Sequence, residues 1–347
     1  MAPGRMRKIF IHAPGSGMGH VSRAIALGMA LTHRGHQCHI LASSQLARKY
    51  IPWDSIEPSN QTSVLAAHQF KGIRVDFLTA KISREALALQ LRHFLHNFHY
   101  DFFIVDVFPR GILGEVPLIF QDLPSNIRTV WVQRLLNEAY LKHLEESPLP
   151  NYDLCFLPGE SAGKFNPCIA KQEIKTEPWI TDCPTPSQNS EIASPEGENP
   201  KKILWVASGS TNESKNMFRL YQETQRVLQR SVTLDFTSPL TVGPQLKTWP
   251  LHSIFHQYDC IVGAPGYHLT HECIATRTPL IMIPMKRLYD DQVARCKLAM
   301  ETQSIHRRAS PATIEKIISE AIPTCNKAKK TTTPSGVYKA VRTFEMF

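Results

Sequence analysis

The chain has 347 residues, 42% of them hydrophobic, and a formal net charge of +9; the length suits two domains of ordinary size, and the apolar share excludes a disordered chain. No apolar run nears the roughly 20 residues that cross a bilayer, and the short stretch behind Arg5, Arg7 and Lys8 reads as a first strand rather than a secretory leader. The eight cysteines form no CxxC pair or zinc-like spacing, so reduced thiols, a cytoplasmic setting and no metal are expected. The basic charge suits anionic substrates and allows, without requiring, peripheral contact with a membrane surface. No basic run interleaves with aromatics, so no nucleic-acid partner is expected.

In chain order, "KIFIHA" (8–13) predicts a strand and "HVSRAIALGMALTHRG" (20–35) an amphipathic helix closed by Gly35. "QCHILAS" predicts the next strand, "REALALQLRHFLHNF" a helix, and "YDFFIVDVF" and "TVWVQR" two buried strands. A proline- and serine-rich stretch, Pro184 to Pro200, holds almost nothing apolar and reads as a linker or loop. Beyond it, "KKILWVAS" predicts a strand, "KNMFRLYQETQRVLQR" a helix, "VTLDFT" and "YDCIVGA" strands, "LTHECIATR" a helix and "PLIMIP" a strand. "SGVYKAVRTFEMF" at the end reads as a helix, with "NKAKKTTTPS" as the loop before it.

Short apolar runs alternating with helices imply parallel sheets covered on both faces. The expected fold is α/β, with two Rossmann-like doubly wound domains facing a cleft. The expected division is 1–183 for the first domain, 184–200 for the linker, 201–335 for the second domain and 336–347 for the last helix. Ligands of such sheets bind beyond the carboxyl ends of the strands.

"GSGMGHVSR" (15–23) follows the first strand. Its glycines, Gly15, Gly17 and Gly19, form GxGxG rather than the dinucleotide pattern GxGxxG. The second strand ends in Ala42-Ser43-Ser44 with no acid for a ribose, and no GK[ST] follows for a phosphate loop. A third reading treats the glycines as devices for close approach of a substrate. His20 then stands at a helix start, where the positive helix end favours its neutral form and a role as a base. The plainer role for His20 is that of a polar capping residue.

A second constellation lies in "GAPGYHLTHECIATRTPLIMIPMKRLYDDQ" (263–292). Gly266 opens a helix whose first backbone N–H groups suit a phosphate. Thr270 adds a hydroxyl, and Glu272 can accept both hydroxyls of a ribose. After the next strand, Asp291 and Gln292 suit sugar hydroxyls. Each residue alone also reads as a cap or a solvated loop.

The order Gly266-Tyr267-His268-Leu269-Thr270-His271-Glu272 resembles the donor-binding motif Gly-Trp-Asn-Ser-Thr-x-Glu of the GT-B nucleotide-sugar glycosyltransferases, the plant and bacterial UDP-glycosyltransferases among them. The Gly, the aromatic, the Thr and the Glu match. His268 and Leu269 stand at the Asn and Ser positions, Ala264 where that family has a histidine, and Asp291-Gln292 match its acidic-Gln pair. The glycine turn with His20 is similar to the opening of the peptidoglycan N-acetylglucosaminyltransferase and galactolipid synthase branch, where it faces the acceptor. There a proline often lies three residues after the histidine, at the place of Arg23. Ser208-Gly209-Ser210 resembles the family's loop close to the donor phosphates.

The resemblance implies a metal-independent, inverting glycosyltransferase of hexosyltransferase type. It would use a UDP-sugar or other nucleotide sugar as co-substrate, with no cofactor. The acceptor, whether small molecule, lipid or peptide, is not readable. His20 is the expected base and Asp106, at the end of "FFIVD", the residue expected to orient it; the alternative for Asp106 is a turn cap. Donor contacts are expected from Ser208, Gly209, Ser210, Gly266, Tyr267, His268, Leu269, Thr270, Glu272, Asp291 and Gln292. Acceptor-side residues are Gly17, Gly19, Arg110 and Glu115, with Arg134 a further candidate. Two alternatives stand beside this reading: a nucleotide-sugar epimerase of the same fold, and a non-catalytic nucleotide-sugar-binding subunit.

Overall fold

The structure, a computed structural model, describes residues 5–57, 65–78, 81–146, 148–160, 170–182, 200–228, 232–240, 248–302, 307–310, 313–321 and 335–347. The linker stretch 184–199 and the loop 326–334 lie outside these residues. The chain divides into two compact units. One comprises Met1–Thr181 with Ser335–Phe347, the other Asp182–Pro334.

The first unit runs β1 (Lys8–Ala13), α1 (Met18–His33), β2 (Gln37–Ala42), α2 (Gln45–Tyr50), β3 (Ser55–Ile56), β4 (Leu65–Phe70), β5 (Ile73–Leu78), α3 (Arg84–Asn97), β6 (Phe102–Asp106), α4 (Val116–Phe120), β7 (Arg128–Val132), α5 (Glu138–Glu145), β8 (Tyr152–Pro158) and β9 (Ala170–Thr176). The second runs β10 (Lys201–Val206), α6 (Thr211–Leu228), β11 (Val232–Thr237), β12 (Cys260–Gly263), α7 (Tyr267–Ala275), β13 (Leu280–Met282), α8 (Gln292–Thr302), β14 (Arg307–Arg308) and α9 (Ile314–Ala321). The last helix, α10 (Val337–Met346), belongs to the first unit.

In the first unit the strand order is β3-β4-β5-β2-β1-β6-β7-β8-β9. From β5 to β9 every pair is parallel. β1, β2 and β6 are buried along almost their whole length, as a parallel strand covered on both faces must be. The β3-β4-β5 edge is antiparallel, a departure from the all-parallel sheet that the sequence pattern implies. Helix α1 starts two residues earlier than its apolar pattern and ends in a Schellman motif. The His36 N–H donates to Leu31, the Gly35 N–H donates to Thr32, and Gly35 adopts φ +80°. At the far end of the chain, α10 packs Phe344 on Phe102 and Phe156, and Glu345 receives a bidentate pair from Arg34.

The second unit is a five-stranded sheet in the order β11-β10-β12-β13-β14, parallel throughout. It has an apolar cluster on each face: Trp205, Met217 and Phe236 in one, Leu204, Phe255 and Leu280 in the other. In each unit, taken by itself, the parallel strands gather the loops that follow them beyond their carboxyl ends, which is where such folds place ligands.

Candidate functional site

In the first unit the geometry centres on His20. Met18, Gly19 and His20 form the first turn of α1, after Gly17 as N-cap. His20 Nδ1 lies 2.7 Å from Asp106 Oδ2. Asp106 is the last residue of β6, the strand that pairs with β1, so the end of one strand and the helix after its neighbour meet. Arg23, one turn after His20, donates through Nε to Asp106 Oδ1 at 2.8 Å and through Nη2 to Oδ2 at 2.7 Å. Asp106 and Arg23 are almost wholly buried. Burial alone would raise the Asp106 carboxyl, but Arg23 and His20 hold it well below the usual carboxylate range. Burial is the largest influence on His20 and lowers its pKa; Asp106 raises it, the charges of Arg134 and Arg23 lower it, and the net direction is downward.

The ring of His20 is held on its other sides as well. Phe108 stacks on it at 5.5 Å between centroids. Gly15, at φ +131°, leaves no space for a side chain beside it. An ionised Asp106 is an acceptor only, so Nδ1 carries the proton in the neutral imidazole. That leaves Nε2 as the basic nitrogen.

The residues expected on the acceptor side are distributed differently. Gly17 has open space where a Cβ would stand, and Gly19 lies inside α1. Arg110 donates to the Leu144 carbonyl at 2.8 Å. Glu115 corrects the expectation, because it is completely buried. Its carboxylate receives His12 Nε2 at 2.7 Å and the N–H groups of Ile112 and Leu113. Burial would raise its pKa, but the bond from His12 keeps the carboxyl low. Glu115 therefore organises its own loop and does not face a ligand.

In the second unit three loops follow β10, β12 and β13. In the first loop Ser210 and Glu213 form a capping box at the start of α6. The Ser210 N–H donates to Glu213 Oε2 at 2.6 Å, and the Glu213 N–H to Ser210 Oγ at 3.3 Å. Arg287, from the third loop, donates to Glu213 at 2.6 Å and to the Ser208 carbonyl at 3.5 Å. Gly209, between the two serines, packs against Glu213 and Arg287.

The second loop leads through Gly266 into α7, which has no side-chain cap. Its first-turn N–H groups and its dipole suit an anion. Tyr267 is buried, its ring 4.6 Å from that of His271. Leu269 corrects another expectation: its side chain sits in the apolar cluster with Leu204 and Phe255, so only its backbone is available to a donor. Thr270 is buried, and its Oγ1 has no hydrogen-bond partner among the described residues. Glu272 Oε1 stands 3.3 Å from His252 Nδ1 and 3.6 Å from His268 Nδ1. Burial opposes ionisation of Glu272, yet the two histidines pull its pKa down to about 2. Burial would lower His252, but Glu272 raises it above the ordinary histidine value.

In the third loop Asp291 Oδ1 accepts the Ala294 N–H at 2.9 Å, capping α8. Gln292 Oε1 accepts the Met285 N–H at 2.8 Å. Asp290 pairs with Arg295, which also donates to the Pro265 carbonyl at 3.1 Å, so α8 braces the entry to α7. Arg23, His12 and His252 are the partners that sequence reasoning missed. Only Arg23 left a signal there, its i,i+3 spacing from His20 on one helix face.

Among the described residues no group of three His, Cys, Asp or Glu side chains could hold a metal ion, and no helix is long and apolar enough to cross a membrane. No protein-family model and no curated protein matches the chain. Solved structures do match. The glycotransferase of kitacinnamycin is 15% identical over 99% of both chains, with a TM-score of 0.61. MurG of Acinetobacter baumannii is 12% identical over 98% of this chain and 100% of its own, at 0.55. The spinosyn rhamnosyltransferase SpnG, complexed with thymidine diphosphate, is 12% identical over 98% and 95%, at 0.56. At such identities the likeness is one of fold. The chain has the GT-B fold of two Rossmann-like α/β units.

Proposed function

We propose that this protein is a glycosyltransferase that moves a sugar from a nucleotide sugar to an acceptor hydroxyl or amine. The observation that carries the reading is the buried Asp106–His20 pair, 2.7 Å apart, which commits Nδ1 and leaves a neutral Nε2 as the base. The fold shared with the kitacinnamycin, spinosyn and MurG enzymes supports the same class of reaction.

In this reading His20 Nε2 takes the acceptor proton as the acceptor atom bonds to the anomeric carbon. The bond from that carbon to the nucleoside diphosphate breaks, and its electron pair leaves with the diphosphate. Attack opposite the leaving group inverts the anomeric centre. Asp106 holds the ring and stabilises the imidazolium, while Arg23 keeps Asp106 ionised. The N–H groups at the start of α7 and the Thr270 hydroxyl meet the charge that develops on the leaving diphosphate, a task that needs no metal. Glu272, ionised and held by two histidines, is the acceptor for the ribose hydroxyls. Uridine diphosphate is the first candidate for the leaving group; thymidine diphosphate is the second, being the nucleotide bound to SpnG.

The test is sugar transfer from a panel of uridine and thymidine diphosphate sugars to a mixed acceptor panel. His20→Ala should retain nucleoside diphosphate binding and lose transfer by about 10²–10⁴-fold, the usual share of a general base. Unchanged transfer in that variant would remove His20 as the base.

A further inference from the structure

The turn after Asp106 is the most constrained backbone near His20. The Phe108 N–H donates to the Asp106 carbonyl at 3.1 Å, across Val107 at φ +75°. This is a γ-turn of the positive-φ kind, rare and strained. A β-branched residue in that region is a genuine outlier, and such outliers persist only where the surroundings over-determine them.

The surroundings here do so. Five successive carbonyls each have a donor. Asp106 is bonded by Phe108 N, Val107 by the Trp131 indole Nε1 at 3.0 Å, Phe108 by Gly111 N at 2.7 Å, Pro109 by the Tyr152 hydroxyl at 2.6 Å, and Arg110 by Val116 N at 3.0 Å. The Val107 N–H donates to the Val132 carbonyl at 3.0 Å, so sheet pairing runs into the turn itself. Trp131 and Tyr152 come from neighbouring strands, β7 and β8, and their rings stack at 6.4 Å. Val107, Trp131 and Tyr152 are all fully buried.

The turn therefore sets two different contacts of one ring. Residue 106 meets the edge of His20 through Nδ1, and residue 108 covers its face. An extended backbone at 107 would keep residues 106 and 108 on one face but about 6–7 Å apart along the strand, whereas the hydrogen bond across Val107 draws them closer together. The tight turn brings both to the same imidazole.

The geometry assigns Val107 as a positioning residue for His20: its strained turn, clamped by the Trp131 indole and the Tyr152 hydroxyl, presents Asp106 and Phe108 together to that ring. The assignment takes its functional meaning from His20 as the proposed base, but its test does not use transfer.

The test is nitrogen NMR of the full chain with labelled histidine, the His20 signals identified by their loss in His20→Gln. Wild type should show a fixed Nδ1–H tautomer, with well-separated nitrogen shifts. Trp131→Phe keeps the ring and removes the donor to Val107; Val107→Gly removes the need for a clamp, since glycine adopts either sign of φ. Trp131→Phe should replace the fixed tautomer with an exchange-averaged one while far-ultraviolet circular dichroism stays native, and Val107→Gly added to it should restore the fixed tautomer. Tyr152→Phe should add to the effect of Trp131→Phe. If Val107→Gly fails to fold, Trp131→Phe decides. An unaltered Nδ1–H tautomer in every variant that folds would overturn the assignment. Loss of the fixed tautomer with no transfer found in any panel would keep the assignment and remove the glycosyltransferase reading. Transfer without tautomer loss would do the reverse.

Discussion

A Cβ built on Gly15 would stand 2.6 Å from Cδ2 and 2.8 Å from Nε2 of His20, and Gly15 holds φ +131°. The imidazole cannot swing away cheaply, because Asp106 holds its edge and Phe108 covers its face. Gly15→Ala is therefore expected to destabilise the fold by about 1–3 kcal/mol and to lower transfer. Denaturant unfolding reads the first effect and transfer from the nucleotide-sugar panel the second. A stable, fully active Gly15→Ala would show that the turn has room to spare.

Asp106→Asn keeps the shape of the side chain but loses the charge. Its amide can donate to Nδ1 and so favour the wrong tautomer of His20. Transfer should fall by about 10²–10⁴-fold. Stability should fall by about 3–5 kcal/mol, because Arg23 is left as a buried charge without its carboxylate. Arg23→Gln separates the two roles. It removes a positive charge that lowers the His20 pKa, so the imidazole should titrate at a higher pH than in wild type. Histidine NMR across a pH series reads that shift.

The histidines of the two units should respond to acid in opposite directions. His20 is lowered by burial, so below about pH 6.5 the unfolded chain binds a proton that the folded one refuses. Its share of stability is lost as pH falls. His252 is raised through Glu272, so its share is full below about pH 6.5 and lost as pH rises through its folded value. Unfolding free energies of wild type, His20→Gln and His252→Gln between pH 5 and 8 should show this, on the order of that window. The cost of His252→Gln should grow on acidification, and that of His20→Gln should shrink.

Thr270→Val removes a buried hydroxyl that has no partner among the described residues. An unpaired polar group costs stability, so the variant without nucleotide should be unchanged or more stable by up to about 1 kcal/mol. Binding of the nucleoside diphosphate should weaken about tenfold, the effect of one good hydrogen bond. Calorimetric titration beside thermal melting separates the two. Weaker folding with unchanged binding would mean that the hydroxyl serves the fold.

Much of the fold is legible in the sequence because parallel strands buried on both faces leave unbroken apolar runs, as in "FFIVD" and "KILWV". The β3-β4-β5 edge is not, since "LAAHQF" and "IRVDFL" carry polar residues that only strand pairing explains. His20 and Asp106 stand at readable places, a helix start and a strand end. Their meeting depends on β6 lying beside β1, which no local pattern encodes. Leu269 and Glu115 show the opposite limit. A motif position names a residue but not its direction, and these two point into the protein. The strain at Val107 is invisible in sequence, because valine is what an ordinary strand would carry there.

In the proposed reaction the second unit binds a nucleotide sugar through its diphosphate and ribose. The most direct measurement is thermal melting of the full chain against uridine and thymidine nucleotides and their sugars. A ligand that binds only the folded state at 100 times its Kd adds about 2.7 kcal/mol. Tm should rise with the concentration of uridine or thymidine diphosphate, and rise less in Thr270→Val. No rise with any uridine or thymidine nucleotide would contradict this binding.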